Sequence, residues 1–349
     1  MNCETFGRHL VIETSGASHD QFMELVIKNF PKGINVDYNL IDSDLARRRP
    51  HNEYDTQRKE RDTYHVLFGI DKGVTDGENI VIRVNNGEMD GSKYDYLKNF
   101  YRPSHADFVY EKKYGETIPN GGGRFSARET VTRVIAGSFA KMLINRLIQK
   151  SSKDEVEFQT WAYSIGDIVQ TTFKQDLNSQ MKALLMDIKA QQDSIGGSVR
   201  CIIKNFPAGV GEPVFNKLHA ALAYGIMSIP AARAFEIGRG VEAGKMRGSQ
   251  HNDPYISDER TKTVRPAKND AGGIIGGIST GEDIILTVHF KPIASIMQPQ
   301  HTVNKKGEND ILQITGYHDV CCVPRAVPVV EAMAAIVLAD ELLGSCQDK

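Results

Sequence analysis

Two phrases of this 349-residue chain occur twice, in the same order. Residues 27–33 read IKNFPKG, and residues 203–209 read IKNFPAG. Residues 73–84 read GVTDGENIVIRV, and residues 277–288 read GISTGEDIILTV. One short match arises easily by chance. Two in order imply a duplicated unit, so whatever fold the first copy takes, the second must take as well. The second copy holds more residues between its phrases and therefore carries an insertion.

Local patterns give the two copies similar elements. Residues 26–30 and 199–206 read as strands that stop at Pro-Gly turns, and residues 80–84 and 284–290 as strands leaving glycine-rich turns. Residues 215–227 place Phe215, Leu218, Leu222 and Ile226 at helical spacing. A long apolar helix is expected late in each copy. In the first, Ser126 and Glu129 have capping-box spacing ahead of Val131, Val134, Ile135, Phe139, Met142 and Leu143. In the second, Pro328 suits the first helical turn, Val330, Met333, Ala334, Val337 and Leu338 follow, and Gly344 is a natural stop. Residues 178–192 read as an amphipathic helix between the copies. The expected architecture is α/β (α+β): one domain of two related halves, about residues 1–150 and 195–349, joined by a helical segment, about residues 151–194.

Composition narrows the partners. A formal net charge of -2 gives no broad basic excess of the kind nucleic-acid binders carry, so any anion site must be local. The five cysteines, Cys3, Cys201, Cys321, Cys322 and Cys346, show no C-x-x-C pair and an odd number, against a disulfide frame or a zinc site. Adjacent Cys321 and Cys322 read as core thiols. The polar first ten residues lack a signal core, and no run of eighteen apolar residues occurs. A soluble, cytoplasmic protein without membrane or nucleic-acid partners is expected.

Arginines gather in short runs: Arg47, Arg48 and Arg49, then Arg58 and Arg61; Arg102 ahead of His105; Arg124 and Arg128 around Ser126. A guanidinium grips carboxylate and phosphate bidentately and keeps its charge at neutral pH. A helix starting near Ser126 adds its N–H groups and positive dipole end. A solvated basic face explains such runs equally well. His19 in SGASHD, His105 in RPSHAD and His318 in GYHDV occupy turn-like contexts. Each can serve as a proton donor near neutral pH. None sits in a metal-binding H-x-x-x-H spacing or a nucleophile elbow. Glycine pairs and triplets at 121–123, 196–197, 272–273 and 276–277 match neither a dinucleotide fingerprint nor a P-loop.

Read together, SGASHD, LARRRP, RPSHADFVYEKKYG, GGGRFSARETVTRVIAGSFAK, DSIGGSVRC, NDAGGIIGGISTGEDI, KPIASI and GYHDVCCVPRAVPVVEAMAAIVLADELL resemble the chorismate synthase family along nearly the whole chain. The resemblance implies a pseudo-symmetric β-α-β sandwich. It implies the 1,4-anti elimination of phosphate from 5-enolpyruvylshikimate 3-phosphate to give chorismate, with no net redox change but a requirement for reduced FMN. By motif match, His19 falls near the departing phosphate and His105 near the electron-rich end of the flavin. Ser18 and Asp319 match a proton-relay pair. Arg48, Arg49, Arg102 and Arg128 match substrate-anion positions. Flavin contacts are implied for Arg124, Phe125, Ser126, Pro230, Ala231, Gly276, Lys291, Pro292, Ile293, Ala294, Ser295 and Tyr317. No reductase domain is visible, so the resemblance leaves flavin reduction to an external supply, with NADPH as reductant and a separate flavin reductase as partner. A homotetramer is the family expectation.

The chain departs from the family pattern in several places. G-E-S-H-G becomes Gly16-Ala17-Ser18-His19-Asp20, which sets a carboxylate beside His19. R-P-G becomes Arg49-Pro50-His51, and an arginine usual soon after is absent around Tyr54. R-S-S becomes Arg124-Phe125-Ser126, K-P-T-S-S loses two hydroxyls at Ile293 and Ala294, and Tyr317 replaces a flavin-contacting arginine. A lost hydroxyl bond costs about 0.5–1.5 kcal/mol, and one to a charged group about 1.5–3 kcal/mol. A non-catalytic paralogue that keeps the fold for binding, or an enzyme for a related anionic substrate, are the alternatives these changes raise.

Overall fold

The chain is laid down as two antiparallel sheets with helices between them, in a computed structural model that describes residues 4–56, 61–87, 92–149, 154–257, 263–316 and 318–347. The first part runs β1 (Glu4–Phe6), β2 (Val11–Ser15), β3 (Phe22–Lys28), α1 (Tyr38–Arg48), β4 (Tyr64–Phe68), a small hairpin of β5 (Ile70–Asp71) and β6 (Val74–Thr75), and β7 (Ile80–Asn85). After β8 (Phe100–Tyr101) and α2 (Asp107–Tyr114), 3-10 turns at Asn120–Phe125 and Ala127–Glu129 lead into α3 (Thr130–Ile148). Next come β9 (Glu157–Ile165), β10 (Ile168–Val169), α4 (Ser179–Ala190), β11 (Gly197–Lys204), α5 (Leu218–Met227) and β12 (Ala232–Ile237). A short α6 (Gly248–His251) precedes the hairpins β13 (Tyr255–Ser257)–β14 (Val264–Pro266) and β15 (Ile274–Ile275)–β16 (Ile278–Ser279). The chain ends through β17 (Ile284–Phe290), β18 (Gln300–Asn304), β19 (Asn309–Leu312) and α7 (Val323–Gln347).

The sheets have strand orders β1-β2-β3-β7-β4 and β10-β9-β11-β17-β12. Position by position, β2, β3, β7 and β4 answer to β9, β11, β17 and β12; α1 answers to α5, and α3 to α7. The repeated phrases supply the ends of β3 and β11 and the starts of β7 and β17. Every described strand pair is antiparallel, which makes the fold α+β rather than a parallel α/β sheet. Strict alternation builds the sheets: Met23, Leu25 and Ile27 of β3 point inward while their neighbours stay half-buried. Helix α3 packs on β3 and on α7, and α7 packs on β9 and β11, so one apolar core runs from sheet to sheet.

Several local expectations change. Residues 151–194 are not simply helical: β9 and β10 lie there, and α4, capped by Asn178, is the helical part. Helix α7 opens at Val323 with Pro324 in its first turn, so Pro328 sits one turn on. There it gives up only the bond to the Pro324 carbonyl. Gly344 lies within α7 and does not end it; an added Cβ would come 2.6 Å from the His9 ring, which would have to turn aside. Phe215 precedes α5 and is exposed. Ser126 caps the 3-10 turn before α3 by accepting from the Arg128 N–H, while Glu129 pairs with Arg133.

Buried polar clasps join the helices. Asp44 and Arg47 of α1, Ser138 and Lys141 of α3 and Glu331 of α7 form one cluster: Lys141 Nζ lies 2.8 Å from Asp44 and 2.6 Å from Glu331, and Arg47 chelates Glu331 at 2.8 Å twice. Burial pushes the Glu331 carboxyl up, but Lys141 and Arg47 more than offset this and hold it at about 2. At the far end of α7, Asp340 accepts the backbone N–H groups of Arg8 (3.0 Å), His9 (2.6 Å) and Leu10 (2.8 Å).

Candidate active site

The turn between β2 and β3 presents Ser18 and His19. Gly16 starts it with φ 83°, and a Cβ there would meet the Phe22 carbonyl at 2.5 Å, so only glycine fits. Asp20 closes the turn: its Oδ2 accepts the Ala17 N–H (2.8 Å), and its own N–H donates to the Ala17 carbonyl (3.2 Å). The carboxylate that replaces the family glycine is thus a turn-closing group. Ser18 is buried. His19 is half-buried and lines a cavity of about 560 Å3 with Ala17, Asp20, Lys98, Thr117, Ile118 and Pro119.

The 3-10 turns before α3 lie against this turn. Arg124 reaches back to it, donating to the Gly16 carbonyl (2.9 Å) and to Thr14 O and Oγ1 (3.1 and 2.9 Å). Arg128 donates through Nε to Asn86 Oδ1 (3.0 Å) and through Nη1 to Asp62. Arg48, at the end of α1, holds Thr130 Oγ1 (3.1 Å), Asp62 Oδ2 (3.0 Å) and the carbonyls of Ala127 and Arg128 (3.3 Å each). The motif match makes Arg48 and Arg128 substrate grips; in the structure both are buried and share the carboxylate of Asp62. Arg49, whose Nε is 4.0 Å from Asp62, is the more exposed member of the run. Arg47 belongs to the interhelical cluster, so it is neither an anion grip nor a solvated charge.

A second group forms around His105. Its Nδ1 meets the Pro103 carbonyl (2.9 Å) and its Nε2 meets Ser295 Oγ (2.8 Å). A carbonyl only accepts, so Nδ1 carries the proton and Nε2 accepts from the serine. Burial, then the nearby Arg102 charge, pulls the His105 pKa down to about 4, so the ring is neutral at pH 7. Arg102 is chelated by Asp107, with Nε–Oδ2 2.8 Å and Nη2–Oδ1 2.7 Å. The 291–295 loop is fastened at both sides. The Lys291 N–H donates to the carbonyl of Ala231, which follows Pro230 and has φ 67°, and the Ile293 carbonyl accepts from Ser194 Oγ (2.6 Å). Pro292 is exposed and Ala294 half-buried. Burial and the neighbouring Arg233 charge lower the Lys291 pKa.

Asp319 is tied to the Arg48 side of the site. Its Oδ1 accepts the Thr56 N–H (2.8 Å) and its Oδ2 accepts from Arg325 (2.5 Å), whose Nε donates to the Arg48 carbonyl (3.0 Å). Three residues on, burial and then Asp319 raise the Cys322 thiol to about 12, while Lys291 and Arg325 oppose that rise. Phe125 is exposed and packs edge-on to Tyr110, with ring centres 5.8 Å apart. Gly276 turns the β15–β16 hairpin with open space over its α carbon. The contacts described here do not join these two to either group. Tyr317 and Arg58 lie outside the described residues.

Sequence reasoning missed Asp62, Asn86, Thr56 and Arg325, which hold the expected residues in place. Asp107, five residues after Arg102 in the same motif, was the one partner with a local signal.

The comparisons with known proteins agree with one another. A family model described as chorismate synthase matches residues 10–343. A chorismate synthase of Christiangramia forsetii is 43% identical over 99% of both chains, and one of Archaeoglobus fulgidus is 44% identical over 97% of both. A crystal structure of a chorismate synthase superposes with a TM-score of 0.74 at 25% identity, covering 97% of this chain and 93% of that one. The chain belongs to the chorismate synthase family.

Proposed function

We propose that this chain is a carbon–oxygen lyase that eliminates phosphate from 5-enolpyruvylshikimate 3-phosphate to give chorismate, with reduced FMN as cofactor. The match over residues 10–343 carries the reading. The arrangement around the 16–20 turn supports it. His19 lines a cavity large enough for a small polyanion, and the Lys98 ammonium lines it as well.

The donor set of the second group fits a flavin phosphate. Burial, then the Arg233 charge, lowers the Lys291 pKa, and an anionic group beside Lys291 would favour its charged form. Ser295, Lys291 and the Ala231 turn, together with Arg124 and Ser126, are the residues that would hold FMN. Reduced FMN, when bound, supplies transient electron density to the allylic system of the substrate. The rest falls to side chains. His19 holds a proton opposite the departing phosphate oxygen, which offsets the growing charge as the C–O bond breaks. Ser18 and Asp319 relay a proton away from the position of the flavin nitrogen. His105, neutral and tied to Ser295, keeps the wall beside the flavin position rigid. Arg48 and Arg128 shape the site through Asp62 instead of gripping the substrate directly.

The flavin is reduced outside this chain, by NADPH through a separate reductase. We further place the enzyme in the cytoplasm as a homotetramer, a reading supported by the exposed apolar side chains Val214, Phe215 and Tyr224. No helix among the described residues is long and apolar enough to cross a membrane. The deciding experiment mixes purified protein, chemically reduced FMN and substrate without oxygen. Phosphate and chorismate should appear in equal amounts. No phosphate under conditions in which the Archaeoglobus fulgidus relative turns over would sink the reading.

A further inference from the structure

Besides Arg124, a second side chain grips the His19 turn from outside. Asn86 directly follows β7 and is 6% exposed. Its Nδ2 donates to the Ala17 carbonyl (3.1 Å) and to the Asp20 carbonyl (2.7 Å), the residues flanking Ser18 and His19. Its Oδ1 accepts from Arg128 Nε (3.0 Å), and its backbone N–H donates to the Gln21 carbonyl (3.1 Å). The amide has one sensible orientation. Arg128 Nε only donates and the two carbonyls only accept, so oxygen must face the guanidinium and nitrogen the turn.

The two bonds between Ala17 and Asp20 fix the turn's shape but not its placement on the protein. Placement needs a grip from outside, and Asn86 supplies it on both flanks at once. Behind it, Arg128 is itself anchored on Asp62, which Arg48 holds from the other side. We propose that Asn86 is the positioning residue that aims Ser18 and His19 into the cavity, coupling the turn to the buried Arg48–Asp62–Arg128 cluster. The proposal rests on the reading of His19 as a reacting group. A displacement of about 1 Å at a reacting group costs on the order of a hundredfold in rate.

The isosteric Asn86→Asp variant removes both donors to the turn and sets a carboxylate oxygen against two carbonyls, yet keeps an acceptor for Arg128. Its first readout needs no catalysis: the rate at which diethyl pyrocarbonate modifies His19 in the free full-length protein, mapped by mass spectrometry. That rate should change severalfold relative to exposed His301 in the same molecule. The second readout is turnover, with kcat falling about tenfold to a hundredfold while KM stays close to wild type. A purely structural role would lower the folded fraction and leave the His19-to-His301 ratio unaltered. An unchanged ratio in folded Asn86→Asp overturns the proposal. An altered ratio in a protein whose wild type releases no phosphate supports the positioning role and refutes the proposed reaction instead. Should Asn86→Asp fail to fold, Asn86→Ser gives the same readouts, and a crystal structure of the wild type decides independently. An Asn86 amide turned away from the Ala17 and Asp20 carbonyls overturns the proposal; an amide seated on both supports it.

Discussion

His105 holds two segments of the site together by staying neutral. Its Nε2 accepts from Ser295, which a protonated ring cannot do, and burial with Arg102 nearby holds its pKa at about 4 against an ordinary 6.5. The folded value lies below the unfolded one. Between about pH 6.5 and 4 the unfolded chain therefore binds a proton that the folded chain refuses. Stability from this group is complete above pH 6.5 and is lost as pH falls through 4. We predict that the urea midpoint of the wild type falls more steeply across that window than the midpoint of His105→Gln. Parallel slopes would contradict it. The histidine was legible in RPSHAD, but its partner lies 190 residues away in sequence. The same distance effect hid Asp62, which stands 14 residues from Arg48 and 66 from Arg128. A motif shows that a guanidinium is wanted; it does not show which anion reaches it.

Helices α3 and α7 approach each other most closely where Gly137 faces Ala332. A Cβ on Gly137 would lie 2.4 Å from the Ala332 Cβ and 2.5 Å from its Cα, and backbone cannot give way as a side chain does. Gly137→Ala gains about 1 kcal/mol of helix propensity. Overpacking costs about 1–3 kcal/mol, and the repulsion should win because the contact is with the main chain. Urea unfolding is expected to show net destabilisation; an unchanged or higher midpoint would mean the helices slide apart freely. At this scale the sequence was informative wherever alternation or a repeated phrase marked a strand, as in β3, β11, β7 and β17. It misled at β9, which has no matching phrase in β2 and is longer, with nine residues against five. Burial there follows from α7 packing on β9, a tertiary cause that leaves a weak local pattern.

Because α3 and α7 are packed against each other between the sheets, neither sheet can lose its inner face without exposing the other. Trp161, the single tryptophan, is buried in β9 of the second sheet, so its fluorescence reports on that part alone, whereas far-UV circular dichroism reports on all helices and strands. The two denaturation curves are predicted to coincide. A fluorescence transition separated from the dichroism transition would show two independently melting bodies. The grip of Asp340 on the N–H groups of Arg8, His9 and Leu10 has a consequence for synthesis. The turn at residues 8–10 waits for an anion made more than 300 residues later, so that turn leaves the ribosome still unfastened. Once fastened, residues 8–10 and Asp340 stay side by side, although one is made early and the other late.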